Sequence, residues 1–543
     1  MSRTATTCSS GSPSEPPAKN GQRSFLQSAG ALSASVLMSR ILGFTRDIFL
    51  SAILGGGVLM SAWVQASGWA NMFRQILGEG ALGQAIVPIL TRTLKEQGEA
   101  YARRKFTTLL IYLSLLLCGL TVLIALPLFL LAVNDFFTSP IWRIAALLTP
   151  IVMPYSIFIC AVGVMTSCLN MLRVYFLPSL TAILQNIIII GALYFLCPVF
   201  SEGIDKVKAL SFSVLAAGII EFLYMLYLLK KNNMQLSFTG SVWKDFTSVK
   251  EIFTLALPGI VAAGAHIIGN QCDRLIAGNI PKFAGEIGNY ATSALYYSDR
   301  LVLLPVGVFA FAFGTVALTE MSHAAADRDR EKFFGVMGLS MRNLLFLTLP
   351  MAFFMFAFSR ELLNFVYVRG AFSETALEQT AQAFQYAVFG IPFFALLKVT
   401  NASFTAQKDM KTPFITGLIA IGFNIVLNFA LMFPLRQGGI ALATVLASVL
   451  NNSLLLILLK KKMQMSVPIR QTLIFLGKLF TITLCPFFAV IPLSWVLRDT
   501  WLFVPGTAAL YGLLYFAGAL LFRMPELEMI TGRILTRLKK KKT

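Results

Sequence analysis

The sequence predicts an all-α polytopic membrane protein, and three observations support this fold class. Only 13% of its 543 residues are charged and 57% are apolar, whereas about a quarter of a typical soluble protein is charged. Mean hydropathy is +0.74. Apolar runs long enough to cross a bilayer, about 20 residues each, recur between residues 31 and 522. A chain with this pattern places most of its length inside a membrane.

The apolar runs predict about fourteen transmembrane helices. Weak internal repetition groups the first twelve into two six-helix lobes around a central cavity, because Arg46 and Asp47 in the first run have counterparts in Asp273 and Arg274 of the seventh. Such repeats are typical of transporters with a midplane site. The predicted segments are a disordered tail (1–24), a first lobe (25–232), a second lobe (245–462), two C-terminal helices (468–523) and a basic tail (524–543).

The basic loops predict the orientation of the chain. Lys and Arg cluster in alternate loops, for example in residues 92–105 and in the final 539–542 run, and are sparse in the loops between them. Because basic loops stay in the cytoplasm, both termini are predicted to be cytoplasmic. The same clusters account for the net charge of +20. They are suited to anionic membrane lipids as partners, and no nucleic-acid partner is predicted.

Cysteine and histidine usage excludes several kinds of site. The seven cysteines are scattered without a CxxC spacing, and only two histidines occur, His266 and His323. Neither a disulfide framework nor a zinc site is therefore predicted. The first 24 residues contain no apolar stretch and do not form a secretory signal. The sequence predicts a transporter rather than an enzyme, with no required cofactor and no catalytic residues.

Charged residues inside the apolar runs are the strongest functional signal. Each costs roughly 2.5–3.5 kcal/mol on insertion scales, and such residues face a partner or a watery cavity. The set consists of Arg40, Arg46, Asp47, Arg74, Glu79, Asp273, Arg274, Asp299, Arg300 and Lys398. Basic groups outnumber acidic groups six to four, which predicts a cavity with net positive charge and an anionic substrate. Arginine is suited to this role because its planar guanidinium binds phosphate bidentately.

Salt bridges between helices, without a ligand, are the alternative interpretation of Arg40, Arg46, Arg74 and Arg300. Adjacent residues on a helix diverge by about 100°. We therefore expect Asp47 to pair with a neighbouring helix rather than with Arg46. Either a bound anion or charge pairing alone would keep these groups inside the membrane.

Five motifs carry a family resemblance. Residues 39–47 read SRILGFTRD, residues 71–88 read NMFRQILGEGALGQAIVP, and residues 297–307 read YSDRLVLLPVG. Residues 369–372 (RGAF) and 407–413 (QKDMKTP) complete the set. In this order they resemble the motifs of the lipid II flippase family MurJ, also called MviN, including its SRxLGFxRD signature. The resemblance covers the chain from residue 30 to the last helix.

The resemblance implies a fourteen-helix fold of the multidrug/oligosaccharidyl-lipid/polysaccharide exporter superfamily in a bacterial cytoplasmic (inner) membrane. It also implies an activity: moving lipid II, the undecaprenyl-diphosphate-linked peptidoglycan precursor of the cell wall, from the inner to the outer leaflet by alternating access. By position, Arg46, Arg74 and Arg300 match the cavity arginines that face the diphosphate, and Arg40 and Asp47 match further sensitive positions. The last two helices would form a groove for the polyprenyl tail.

Two departures from the family pattern concern acidic residues. Where the family usually has an acid at the start of the second helix, this chain has Ser61. Some members also hold a sodium ion, and the resemblance suggests Asp273, Asn424, Asn428 and Thr444 for such a site here. Asp273 would either supply the charge of that cation site or pair with an arginine of the first lobe. Pairing is the preferred alternative, because two asparagines and a threonine hold sodium weakly.

Two other functions stay open. A related exporter of another polyprenyl-diphosphate glycan would use the same positive cavity, whereas an exporter of cationic drugs would favour acids. A membrane-embedded glycosyltransferase would need a catalytic carboxylate, but Glu361, Glu374 and Glu378 in the short 359–381 loop lack the spacing of an active site. The sequence therefore favours a lipid II flippase.

Overall fold

The computed structural model describes residues 19–78, 81–238, 246–463, 469–497, 500 and 502–527. In this part of the chain the regular structure is helical throughout, with no β-strand, which confirms the all-α prediction. The first helix begins at Lys19, inside the segment predicted as a tail. Residues 1–18, and the basic tail from residue 528 onward, lie outside the described residues.

The first lobe contains eight helices. They are α1 (Lys19–Leu54), α2 (Val58–Phe73), α3 (Ala81–Val133), α4 (Pro140–Val152), α5 (Tyr155–Met171), α6 (Phe176–Ser179), α7 (Thr181–Gly191) and α8 (Gly203–Lys231). Two π-helical turns, Arg74–Gly78 and Ala192–Leu196, and a 3₁₀ turn, Cys197–Val199, connect or extend them.

The second lobe and the C-terminal pair contain the remaining helices. The second lobe comprises α9 (Phe246–Ala277), α10 (Pro281–Ala284), α11 (Ala291–Pro305), α12 (Phe311–Ala326), α13 (Arg330–Ala357), α14 (Ser359–Tyr367), α15 (Glu374–Ala387), α16 (Gly390–Ala406), α17 (Lys411–Leu435) and α18 (Gln437–Met463). A 3₁₀ turn, Gly285–Tyr290, precedes α11, and a π-helical turn, Val306–Ala310, joins α11 to α12. The C-terminal pair is α19 (Ile469–Leu497) and α20 (Phe503–Leu521).

Several of these segments are long and apolar enough to cross a membrane. Among the described residues nine pass this test, or eleven if each of two bent helix pairs counts as one span. Two of the nine, Ala85–Val133 and Ile267–Ala326, contain 49 and 60 residues, more than twice the length of about 20 that one crossing needs. The count of fourteen crossings stays a prediction.

Proline and glycine interrupt the helices. The helices α4 and α5 meet at a 48° bend, where Pro154 occupies the position before α5. Gly98 divides α3 with a φ of +83°, a backbone conformation that glycine adopts readily. Pro305 ends α11 directly before the π-helical turn that leads into α12. Proline removes a helical N–H donor, so such kinks form where its ring displaces the regular hydrogen bonds.

The two lobes meet along helices that carry the charged residues. In the first lobe α1 packs on α7 and α3 on α5; in the second, α17 packs on α18, α11 on α15 and α12 on α16. Between the lobes, α2 and α3 contact α9, and α2 also contacts α11. Large apolar side chains on the outside, such as Leu513 at 70% exposure and Val426 at 66%, fit a lipid environment.

The C-terminal helix pair is attached to the second lobe. The hydroxyl of Tyr515 on α20 donates a hydrogen bond to the carbonyl of Phe346 on α13 over 2.6 Å. The ring centroid of Tyr511 lies 5.4 Å from that of Phe354, also on α13. These contacts hold α19 and α20 against α13, outside the interface between the lobes.

Candidate functional site

Asp47 joins the two lobes through two arginines. In the first lobe, Arg46 lies next to Asp47 on α1, and its guanidinium donates to Oδ1 of Asp47 from Nη2 over 2.9 Å and from Nε over 3.2 Å. In the second lobe, Nε of Arg300 on α11 lies 3.3 Å from Oδ2 of the same carboxylate. One carboxylate therefore holds one cation from each lobe.

Tyr296 completes this ion network. Its hydroxyl donates to Oδ1 of Asp47 over 2.9 Å and accepts from Nη2 of Arg300 over 3.3 Å. The guanidinium carbon of Arg300 lies 4.7 Å from the centroid of the Tyr296 ring, which adds a cation–π contact. Tyr296 lies four residues before Arg300, so the two side chains share one face of α11. Tyr296 was not among the site residues predicted from the sequence, although its spacing from Arg300 was visible in the chain.

Asn186 fixes Arg46 from the side of α7. Nη1 of Arg46 donates to Oδ1 of Asn186 over 3.1 Å, while the Asn186 amide donates to the carbonyl of Ala182 over 2.8 Å. Asn186 is only 5% exposed. An amide buried in an apolar helix needs hydrogen-bond partners, and this was the signal that could have identified it as part of the site.

The two arginines of the network are partly exposed, and the network carries net positive charge. The side chain of Arg300 is 41% exposed and that of Arg46 is 19% exposed, whereas Asp47 is 4% exposed. Ser298 and Leu301, on either side of the exposed pair Asp299 and Arg300, are buried. Two guanidinium groups against one carboxylate leave an excess cation with unused N–H donors. This arrangement can bind an anion bidentately.

The structure separates the other two predicted arginines from Asp47, whose polar contacts are with Arg46, Arg300 and Tyr296. Arg40 extends from α1 toward the π-helical turn after α11, where a Cβ atom at Gly307 would collide with its guanidinium. Arg74 begins the π-helical turn after α2. That turn packs closely on α5, since a Cβ at Gly163 would overlap the carbonyl of Gly78. The five predicted positions therefore line the lobe interface without forming one cluster.

The expectation that Asp47 avoids its neighbour Arg46 is wrong. The backbone positions diverge by about 100°, but the arginine side chain is long enough to turn back onto the adjacent carboxylate. The second half of the expectation is confirmed, because Asp47 also reaches a neighbouring helix through Arg300. Charge pairing and partly exposed arginine side chains are both present in this site.

The lobes are fastened together at the end of the bundle where α1 turns into α2, which we call the Gly55 end. The hydroxyl of Tyr297 donates to the carbonyl of Gly55 over 2.9 Å, and that of Ser51 donates to the carbonyl of Tyr367 over 3.2 Å. The amide of Ala371 donates to the carbonyl of Ala52 over 2.8 Å. These hydrogen bonds link α1 of the first lobe with α11 and the α14–α15 loop of the second.

Ser61 contributes to the same closure. Its hydroxyl donates to the carbonyl of Asn289 over 2.7 Å and accepts from the amide of Ser293 over 3.3 Å. Ser61 is fully buried, so the position where the family usually has an acid holds a neutral contact between the lobes. Close by, the side-chain amide of Gln65 donates to the carbonyl of Arg274 over 2.5 Å.

At the opposite end of the bundle, which we call the Lys105 end, Lys105 on α3 forms an ion pair with Glu251 on α9 over 3.0 Å.

A second polar cluster contains the four residues considered for a cation. Asn428 donates to Oδ1 of Asp273 over 2.6 Å, and the hydroxyl of Thr444 donates to Oδ2 over 3.0 Å. The Asn424 amide is best satisfied with its nitrogen donating to Asp273 over 2.9 Å and its oxygen accepting from the Thr444 amide over 3.2 Å. Helices α9, α17 and α18 thus bring all four residues together.

The donor set of this cluster fits a hard monovalent cation. Oδ1 of Asn428 is buried and has no hydrogen-bond partner, and an unsatisfied buried oxygen is available to a cation. The other candidate ligands are oxygens of one carboxylate, one amide and one hydroxyl, which hard cations prefer. Asp273 is the one carboxylate among these four residues, so the cluster offers a single negative charge to a monovalent cation. Among the described residues, no ion pair joins Asp273 to a first-lobe arginine.

Two helical lobes that close around a polar, net positive interface define a membrane transporter, and the fold has solved counterparts of that class. An inward-facing multidrug transporter of the MATE family, in the MOP superfamily, superposes with a TM-score of 0.63 at 14% identity, over 79% of this chain and 96% of that chain. A lipid II flippase MurJ in an inward closed conformation superposes with a TM-score of 0.74 at 24% identity, over 91% of this chain and 98% of that chain.

The sequence comparisons identify the family. The sequence model of the family described as lipid II flippase MurJ matches residues 50–513 of this chain. The chain therefore belongs to this family. A relative from Vibrio cholerae serotype O1, named "Probable lipid II flippase MurJ", is 29% identical over 443 residues, which cover 79% of this chain and 82% of the relative. The lipid II flippase MurJ of Burkholderia cenocepacia is 27% identical over 440 residues, covering 79% and 83%.

Proposed function

We propose that this protein is a lipid II flippase, which moves the undecaprenyl-diphosphate-linked peptidoglycan precursor from the inner to the outer leaflet of the bacterial cytoplasmic membrane. Family membership over residues 50–513 supports the substrate class. The observation that carries the proposal is the ion network in which Asp47 holds Arg46 of the first lobe and Arg300 of the second. The protein acts as a transporter and performs no covalent chemistry.

The network supplies a mechanism for coupling substrate binding to lobe movement. A diphosphate bears several anionic oxygens and competes with Asp47 for both guanidinium groups. When the substrate takes over Arg46 and Arg300, the carboxylate no longer bridges the lobes. The ligand then shifts the balance between conformations by its differential affinity for them. Arg74 and Arg40, on the same interface, provide further positive charge along the path.

The closed Gly55 end is the barrier that substrate must pass to reach the far leaflet. Opening that end breaks the hydrogen bonds of Tyr297, Ser51 and Ala371 with the other lobe. The Lys105–Glu251 pair at the opposite end constrains the entry side. An alternating-access cycle exchanges these two sets of contacts, so that only one end is open at a time.

A sodium ion is assigned to the Asp273 cluster as an accessory, not as a reactant. Asp273 would supply the negative charge, and the side-chain oxygens of Asn424, Asn428 and Thr444 would complete the ligand set. The orphaned Oδ1 of Asn428 supports this assignment. When bound, the ion would neutralise the carboxylate and hold α9 against α17 and α18.

Orientation and the lipid tail complete the proposal. Both termini are placed in the cytoplasm, because basic loops favour that side. A reporter that is active only in the cytoplasm should be active after Thr543 and inactive at 201–206.

The α19–α20 pair against α13 is proposed as the groove for the polyprenyl chain. Its exposed apolar residues, such as Leu513 and Leu520, support contact with a hydrocarbon.

The direct test is a flipping assay with purified protein in proteoliposomes. One arm uses lipid II and a second uses another glycan on undecaprenyl diphosphate, so that the assay separates the proposed substrate from that of a related exporter. Arg300→Gln should abolish flipping. Arg92→Gln, which removes an arginine whose side chain is 73% exposed, serves as the matched control and should be active. Absence of lipid II movement by folded, correctly inserted wild-type protein would exclude the proposal.

A further inference from the structure

A separate cavity of about 620 Å³ opens at the Lys105 end of the second lobe, away from the ion network. It lies between the ends of α12 and α16 and the beginning of α13. Its walls include the basic residues Arg328, Arg330 and Lys408 and the apolar side chains of Phe333 and Met463. This volume is within the range of roughly 300–1,000 Å³ that is typical of small-molecule sites.

Two matching helix ends place cations at this cavity. The amide of Asp329 donates to the carbonyl of Ala324 at the end of α12, and the amide of Asp409 donates to the carbonyl of Phe404 at the end of α16. In each case the preceding residue is left-handed, with φ of +56° at Arg328 and +59° at Lys408. Glycine is the usual residue in this cap. Both helices instead present a long cationic side chain there.

The three cations of the cavity have no carboxylate partner among the described residues. Two acids lie close to them: Asp329 belongs to the cavity wall, and Asp409 lies next to Lys408 in the chain. Asp329 caps α13 by accepting from the amide of Lys332 over 2.9 Å. Asp409 accepts from Lys462 over 2.7 Å and from the Thr412 hydroxyl over 2.9 Å. With three cations and the one carboxylate of Asp329 in its wall, the cavity retains net positive charge.

We propose that this cavity binds the phosphate of an anionic phospholipid headgroup from the adjoining leaflet. Arg328, Arg330 and Lys408 supply the charge-assisted donors that a phosphate diester prefers. The apolar wall formed by Phe333 and Met463 suits the glycerol and the first acyl carbons, which a free phosphate ion lacks. Met410 beside the cavity is 62% exposed, as expected at a boundary between headgroups and acyl chains.

The proposal is tested by lipid retention on the purified full-length protein. Native mass spectrometry counts the phosphatidylglycerol molecules that survive in a detergent that strips weakly held lipid. The triple variant Arg328→Gln/Arg330→Gln/Lys408→Gln should lose one tightly held phosphatidylglycerol and bind the short-chain lipid dihexanoyl-phosphatidylglycerol about tenfold more weakly or worse. The variant Arg328→Lys/Arg330→Lys should retain it, which separates loss of charge from loss of folding.

A matched control removes the same number of charges from the same face. Lys230→Gln/Lys231→Gln/Lys460→Gln changes three exposed lysines outside the cavity and should leave the retained lipid unchanged. Equal loss in this control would show a general surface-charge effect and overturn the proposal. Equally tight binding of phosphatidylcholine would also overturn the proposal. Displacement of the probe by millimolar inorganic phosphate would overturn it as well, because it would show that the cavity binds a soluble anion.

Discussion

The amide of Ala371 donates a hydrogen bond to the carbonyl of Ala52 over 2.8 Å, and this contact joins the backbones of the two lobes. Glycines on both sides permit the approach. Gly55 has a φ of +69° and Gly370 a φ of +57°, and a Cβ atom at Gly370 would overlap the carbonyl of Ala52. The Gly55 end is therefore closed by main-chain packing that leaves no room for larger side chains. Substrate cannot leave toward that end unless the backbones separate.

A disulfide between positions 52 and 371 should trap the closed state. The hydrogen bond limits the distance between the two Cα atoms to about 6.7 Å, which is within disulfide range. We expect Ala52→Cys/Ala371→Cys to lose flipping in proteoliposomes after oxidation and to recover it on reduction. Each single cysteine variant is the control and should be active under both conditions. Full activity of the oxidised, cross-linked protein would show that this end does not open during transport.

The cavity arginines should be sensitive to shape as well as charge. Arg46→Ala, Arg74→Ala and Arg300→Ala should each abolish support of cell growth while the protein stays in the membrane. A charge-assisted contact is worth about 1.5–3 kcal/mol, or roughly 10- to 150-fold in binding. Lysine should restore part of the function, because an ammonium replaces a bidentate guanidinium. Normal growth in all three alanine variants would exclude an arginine clamp on the diphosphate.

Asp47 should compete with substrate for the arginines. In Asp47→Asn the bridge between Arg46 and Arg300 loses its charge, so a lipid diphosphate should bind more tightly while flipping becomes slower. Binding is measured with a labelled undecaprenyl diphosphate and turnover in proteoliposomes, with Asp205→Asn, an exposed acid, as the control. Weaker binding together with slower flipping would indicate that Asp47 only maintains the fold of the site.

The charged part of this site was predictable from sequence because charges in a membrane helix are costly and therefore conspicuous. Arg46, Asp47 and Arg300 stand out in this way. Their pairing was harder to predict, because it depends on where α1 and α11 meet and on the reach of the Arg46 side chain. Helix geometry alone placed Asp47 away from Arg46, and that expectation was wrong.

Neutral residues of the site had a weaker signal. Tyr296 and Asn186 carry no charge, and only the folded structure places them against Asp47 and Arg46. The backbone closure at Gly55 was also beyond sequence reasoning. Its glycines were visible, but close helix packing and a bending helix leave the same pattern in a sequence.

The Asp409–Lys462 pair should stabilise the Lys105 end in a pH-dependent way. The hydrogen bond from Lys462 is the largest contribution that lowers the pKa of Asp409 to about 2, from about 3.9 in an unfolded chain. A lowered carboxyl pKa stabilises the fold above pH of about 4, and this contribution is lost as the pH falls toward about 2.

The consequence can be measured by thermal unfolding. Because Lys462 is 48% exposed, solvent screening reduces the effect to about 1 kcal/mol. Asp409→Asn should therefore lower Tm at neutral pH, and the difference from wild type should shrink as the pH falls below about 4. Asp205→Asn at an exposed pair should change Tm little. A difference that does not depend on pH would mean that the asparagine disturbs the hydrogen bonds of Asp409 with Thr412 at the start of α17 rather than the ion pair.

Asp273 has two alternative roles, as the charged ligand of a cation site or as one partner of a charge pair between the lobes, and substitution distinguishes them. In the structure it is held by Asn428 and Thr444 of its own lobe, which favours the cation site, although sequence reasoning preferred pairing. If sodium binds there, sodium chloride should raise Tm relative to choline chloride, since a ligand stabilises the state that binds it. Asp273→Asn and Asn424→Ala should both remove that difference, whereas Asn270→Ala, one turn away on α9, should retain it. In the alternative, Asp273 pairs with a first-lobe arginine in another conformation. Asp273→Asn should then shift the balance between the open and closed states of the Gly55 end, measured by cross-linking of positions 52 and 371. The effect of sodium on Tm should stay unchanged. A variant that matches wild type in both measurements would exclude both roles.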